Sequence, residues 1–273
     1  YLFTIALLFR FQMWLFGLPH SSVRDLLKVD ILNCMGLGIL LMSVMAVFRT
    51  GQRVRYCAIA GVGIAAASPL VSMLDWSGVP ALVRMYLAPD HNYFSFFPWG
   101  AFLAFGMSVG SLIRVIQREH LDRAMQWSAL LGIGLIVGSW YAANLPYSVY
   151  PSVDFWLNSP AQVFIKLGVI LLGLSFAFLW TEYGREHHRG WSWVRQFGVT
   201  SLLVYWVHTE LVYGRWLWFF KERLSVAQTV VAAIAVILAM LLLSVARTHR
   251  DRWVPALAGR LRFSPAAARA SGD

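Results

Sequence analysis

The sequence predicts an all-α protein, a polytopic membrane helix bundle with about eight transmembrane helices, and three observations predict it. Of 273 residues, 59% are hydrophobic and 13% charged, about half the charged fraction of an ordinary soluble domain. The apolar residues fall in blocks of roughly 17–20, enough at about 1.5 Å per residue to cross a hydrocarbon layer of about 30 Å. The blocks show no period-2 alternation and are too long for barrel strands, so they read as helices, which satisfy their own backbone groups in lipid. A water-soluble globule is excluded.

The first block, 2–17, carries Arg10. The second, 31–48, is preceded by Asp30 and has Asn33 at its mouth. The polar run Arg49-Thr50-Gly51-Gln52-Arg53 leads to the third block, 56–74. The fourth, 97–116, opens on Pro98-Trp99-Gly100 and places Gly106 and Gly110 in small-xxx-small spacing, which predicts close helix contact there. Gly132, Gly134 and Gly138 of the fifth, 126–143, which Asn144-Leu145-Pro146 ends, read as packing residues in the same way, as do Gly36 and Gly38 of the second. The sixth, 161–180, holds Lys166; the seventh is 197–213 and the eighth 228–246. Residues 1–247 are read as the bundle and 248–273 as a basic, flexible cytoplasmic tail. Because the chain opens at Tyr1 inside an apolar run, the sequence reads as one whose N-terminal part is missing.

Loop charge sets an expected orientation. Alternate loops and the tail carry fifteen Lys and Arg on one side and six on the other, which puts the richer side and the C-terminus in the cytoplasm. The net charge of +10 is thereby read as orientation and lipid contact, not nucleic-acid binding. Tryptophans such as Trp14, Trp99, Trp127 and Trp180 fall near the span ends, as interfacial belts do. Cys34 and Cys57 lie near opposite ends of successive blocks, so a disulfide is not expected, and no zinc spacing, phosphate loop or Gly-x-Ser-x-Gly elbow occurs. No metal is expected.

An ionisable residue inside a span costs about 2.5–3.5 kcal/mol unless it faces protein or water. Arg10, Lys166, His208 and Glu210 are such residues, and with Asp30 and Asn33 they fall in or near the outer half of the membrane. Loop residues His20, Arg24, Asp25, Lys28, Arg84, Asp90, His91, Asp154 and Asn158 belong to the same outer face, so the set reads as the lining of a polar cavity. Lys166 can instead snorkel to the interface. Arg10 snorkels less easily, which predicts a buried partner, Asp30. His187-His188 lies in a charged inner loop and reads as solvated.

The seventh block is the densest. Ser201, Tyr205 and His208 stand at i, i+4 and i+7, on one helical face. An imidazole there can exchange a proton near neutral pH, and a tyrosine hydroxyl one turn away can orient it. The same stripe also serves as interhelical hydrogen-bonding glue.

Three motifs resemble a family. Val29-Asp30-Ile31-Leu32-Asn33-Cys34-Met35-Gly36-Leu37 resembles the D-I-L-x-x-x-G helix start of bacterial proteins similar to heparan-α-glucosaminide N-acetyltransferase. Phe97-Pro98-Trp99, with Phe105-Gly106-Met107-Ser108-Val109-Gly110, is similar to that family's F-P-W…G-x-x-x-G helix. The run from Gly198 to His208 resembles the G-x-x-S-L-x-x-Y-x-x-H helix of transmembrane acyltransferases. The resemblance implies a multi-helix enzyme carrying an acyl group from cytoplasmic acetyl-CoA, as co-substrate, to a sugar or glycoconjugate amine or hydroxyl. That family's catalytic histidine follows an R-G-x-x-x-x-x-M helix, a motif missing from this chain.

On this reading His208, Tyr205 and Ser201 are the catalytic candidates, and Arg10, Asp30, Asn33, Lys166 and Glu210 the substrate-binding ones. The partners are the lipid bilayer and the acceptor. A transporter or flippase-like carrier, with the ionisable residues as a mid-membrane pathway, is the alternative, although no internal repeat of the kind transporters carry is found. A structural subunit is the third reading.

Overall fold

The structure is a computed structural model that describes residues 1–18, 21–183, 191–214, 217–220 and 223–249. The described residues are helical without a strand: α1 Leu2–Phe16, α2 Ile31–Met42, α3 Thr50–Ser72, α4 Ala81–Leu87, α5 Phe96–Val115, α6 Leu121–Ala143, α7 Pro160–Tyr183, α8 Trp193–Val199, α9 Ser201–Tyr213 and α10 Val226–Thr248. His20, Arg185, His187, His188, Arg189, Arg215, Lys221 and the tail from 250 lie outside the described residues. The chain forms two compact units, Tyr1–Glu186 and His187–Asp273.

The molecule is a helical membrane protein in its surface chemistry. Helices α3, α5, α7 and α10 are long and apolar enough to cross a bilayer; the 23 residues of α3 and α10 span about 34 Å. Large apolar side chains point outward along them, Val230, Ile234 and Leu238 on α10 and Ile59 and Val62 on α3 among them. An aqueous surface does not carry apolar patches of that extent. Helix α6 has the length, but Gln126, Ser128 and three glycines dilute its apolar content. Helix α1 has 15 residues, and α2 continues through a 3₁₀ turn to Val47 as a shorter apolar segment.

Local chemistry sets the helix ends. Asp30 caps α2 by accepting from Asn33 N at 3.1 Å, and Ser225 with Gln228 forms a capping box on α10. Phe97 leaves the helical region at the start of α5 (φ −93°, ψ 124°), because a residue before proline is pushed toward extended backbone.

The core of the first unit joins α3, α5 and α7 through Ala65, Ala101, Phe105, Val163, Leu167 and Leu171. Helices α3 and α5 run antiparallel: Gly61 lies against the Phe105 ring, and Ser108 Oγ donates to Val54 O at 2.7 Å. Helices α6 and α7 are also antiparallel. Gly132 abuts Gly168, and Ser175 Oγ donates to Met125 O at 3.0 Å.

Two sequence expectations are corrected. Gly106 and Gly110 meet open space, because the contact face of α5 is the Ala101, Ala104, Phe105, Ser108 row one position away. The close approaches are at Gly38, Gly61, Gly132 and Gly168. The seventh block is also not one helix. It breaks at Thr200 (φ −111°, ψ 19°) into α8 and α9, where Gly198, Val199 and Thr200 are weak helix formers in succession. The Thr200 hydroxyl also donates to Gln196 O at 3.1 Å, a side-chain bond that competes with the backbone ladder.

Candidate functional site

In the first unit the structure brings Arg10, Asp30 and Asn33 together. Arg10 Nε lies 3.2 Å from Asp30 Oδ2, with side-chain exposures of 15% and 6%, so the predicted pair forms. Asp30 Oδ1 accepts from both the backbone N and the side-chain Nδ2 of Asn33, each at 3.1 Å. Asn33 Oδ1 in turn accepts from the Tyr86 hydroxyl at 3.2 Å. Guanidinium, carboxylate, amide and phenol thus form one chain across α1, α2 and α4. Burial, followed by the nearby Asp30 charge, raises the Tyr86 hydroxyl above its ordinary range and keeps it a donor.

This cluster sits where two of the motifs meet. Cys34 Sγ contacts Ser95 O at 3.5 Å, Phe94 N donates to Val29 O at 3.4 Å, and Gly38 lies against Leu103. Positions 34 and 38 therefore pair with 95 and 103, so α2 and α5 run in the same sense and the Asp30 motif lies beside the Phe97-Pro98-Trp99 motif. Cys34 and Cys57 are both free and buried.

Next to this junction α2, α5 and α7 enclose a groove of about 550 Å³. Its walls are apolar apart from Lys166, whose Nζ stands 4.7 Å from the centre of the Trp99 ring. A second cavity of about 790 Å³ lies over Asp25, Lys28, Arg84, Asp90, Asn92 and Tyr93, and holds four of the expected outer-face residues. Asp154 and Asn158 lie elsewhere. Asp154 accepts from Trp156 N at 2.8 Å and meets His91 Nε2 at 3.2 Å, while Asn158 Nδ2 donates to Ser72 Oγ at 2.6 Å. The Trp156 N–H is the main cause holding the Asp154 carboxyl below the usual carboxylate range, and His91 adds to it.

In the second unit Ser201, Tyr205 and His208 share α9. Ser201 is exposed at its first turn, and Tyr205 and His208 are half-buried. The His208 Nδ1 lies 3.5 Å from Thr209 Oγ1, and its ring meets Tyr213 edge-on at 6.4 Å. Glu210 is 6% exposed.

Sequence reasoning missed Tyr86, which lies in a loop-length segment with no pattern to mark it. It also missed the polar knot between α8 and α10. There Gln196 Nε2 donates to Ser244 O and Oγ at 2.9 Å and to Thr248 Oγ1 at 2.7 Å, and Thr200 Oγ1 meets Ser244 Oγ at 2.5 Å. The i, i+4 spacing of Ser244 and Thr248 in an otherwise apolar block was its available signal.

No family model, curated protein or solved structure matches the chain.

Proposed function

We propose that this protein is an integral-membrane acyltransferase that moves an acyl group, in the first instance acetyl, from acyl-CoA to a hydroxyl or amine of a sugar or glycoconjugate. The observation that carries the reading is the polar set Arg10, Asp30, Asn33 and Tyr86, with Asp30 and Asn33 buried, at the place where the Asp30 motif lies beside the Phe97-Pro98-Trp99 motif. Ionisable groups in apolar spans are costly, and their natural reading is a functional one. The motifs that meet there are the ones that resemble the N-acetyltransferase-like family.

Each unit has its own assigned groups: Arg10, Asp30 and Asn33 are the substrate-binding ones on the first, and Glu210, on α9, is the substrate-binding one on the second. On the second unit His208 is the general base that takes the acceptor proton as the nucleophile attacks the thioester carbonyl. Tyr205 and Ser201 are donors to the developing oxyanion. When the C–S bond breaks, that proton passes from the imidazole to the departing thiolate, so atoms and charge balance. Arg53, in the first turn of α3, and Arg118, between α5 and α6, are the cations suited to the CoA phosphates.

The reading includes about eight crossings of a bacterial inner membrane with the C-terminus in the cytoplasm. It is supported by the fifteen-to-six division of loop cations and by a helix or helix pair at each apolar block. Membranes bearing the full chain, given labelled acetyl-CoA and a sugar acceptor, test the activity. The His208→Gln variant should insert normally yet lose about 100-fold in turnover, the scale of a general acid–base group. Near-normal turnover by that variant removes His208 from the chemistry. Sugar uptake without acetylation points to a carrier.

A further inference from the structure

Lys166 is an unusual cation for its surroundings. It stands two turns into α7, and among the described residues no carboxylate lies within ion-pair distance of it. Its contact is the Trp99 ring at 4.7 Å. Beside it, two turns each of three helices form the groove: Ile31 and Met35 on α2, Leu103 on α5, and Ile170 on α7, among others. Helices α2 and α5 run in the same sense; α7 shares it, since α5 opposes α3 and the residues just before α7 bond to the end of α3 through Asn158 and Ser72. All three helices thus turn their N-terminal halves to the groove. The cation sits toward that end, and apolar side chains continue inward from it.

We propose that this groove seats one chain of an anionic bilayer phospholipid whose phosphate is held by Lys166. Two features select that occupant. The walls offer almost nothing but apolar contact, and the volume of about 550 Å³ lies within the range that encloses a single ligand. Among the described residues no carboxylate pairs with the ammonium, so an amphiphile's negative head can take that place, while Trp99 fixes the ammonium's position by a cation–π contact. A neutral lipid satisfies the walls but not the charge, a zwitterionic one offers a phosphate whose charge its own ammonium offsets, and a soluble phosphate satisfies the charge but not the walls. Lipid binding here is read directly, whatever reaction the protein performs.

Native mass spectrometry of the detergent-purified full chain, titrated with phosphatidylglycerol or with phosphatidylcholine of the same chains, tests it. The wild type should retain one phosphatidylglycerol at least tenfold more tightly than phosphatidylcholine. Lys166→Gln should bring that ratio close to one, and Lys166→Arg should restore it. Met35→Trp, which fills the groove without touching the charge, should weaken both lipids, and glycerol phosphate should not displace the bound lipid. Circular dichroism checks that each variant is folded. A Lys166→Gln protein that keeps the tenfold preference overturns the proposal, as does unchanged binding by a folded Met35→Trp protein or displacement by glycerol phosphate at lipid-like concentrations.

Discussion

Breaking the Arg10–Asp30 pair from its two ends should give unequal losses. With 3.2 Å between Arg10 Nε and Asp30 Oδ2, the attraction is about 5 kcal/mol at an effective dielectric of about 20. Desolvating the two ions offsets most of it, so the pair adds little net stability, but removing one partner strands the other. Asp30→Asn leaves a guanidinium that cannot shed its proton, at a cost of about 3–5 kcal/mol. Arg10→Met leaves a carboxylate that still accepts from Asn33 N and Nδ2, so its cost should be about 1–3 kcal/mol. The double variant, with neither charge, should lie well above the sum of the singles, with a coupling of about 1–3 kcal/mol. Equilibrium unfolding of all four proteins in mixed micelles measures these differences. Equal losses from the two single changes, or strict additivity in the double, would refute the reasoning that the ions are mutually dependent and poorly solvated.

Gly132→Val should cost about 1–3 kcal/mol by overpacking, since a Cβ at Gly132 falls 2.8 Å from the Gly168 carbonyl oxygen, whereas Gly134→Val points into open space; equal effects in the same unfolding assay would contradict this packing. Asp154 is held low by the Trp156 N–H and then by His91, so its contribution to stability is present above the unfolded carboxyl pKa of about 3.9 and lost as pH falls through the lower folded value. Asp154→Asn should therefore flatten the fall in stability below about pH 4, and an unchanged acid limb would remove the carboxylate from that role. A phosphatase fused after His249 should be inactive if the C-terminus is cytoplasmic, and an active fusion would invert the topology.

How far each feature was legible in the sequence depends on how much of its physics is local. The apolar blocks predicted helices well because bilayer solvation acts on every residue of a segment, and Asp30 is an N-cap type at the position where α2 starts. The Arg10–Asp30 pair was legible for a different reason. So few ionisable residues occur in the spans that each one's partner could be sought among a handful, and two successive antiparallel segments bring their shared ends together. Small residues gave uneven guidance: Gly38 and Gly132 pack closely, as glycines in spans are expected to, while Gly134 and Gly138 meet open space. Gly106 and Gly110 have the spacing of a helix contact, yet the face that packs is set by where α3 presents Gly61 to Phe105, a relation between segments more than forty positions apart. Tyr86 was illegible for the same reason: its hydroxyl matters because Asn33, 53 positions earlier, has an amide oxygen left over after Asp30 takes its N–H groups. The break at Thr200 lies between these cases. Its weak helix formers were visible, but the bond to Ser244 that accompanies the break depends on α10 packing against α8. Polar residues inside apolar segments were therefore informative when their partners were scarce. When hydroxyls and amides offered many interchangeable partners, only the folded contacts decided among them.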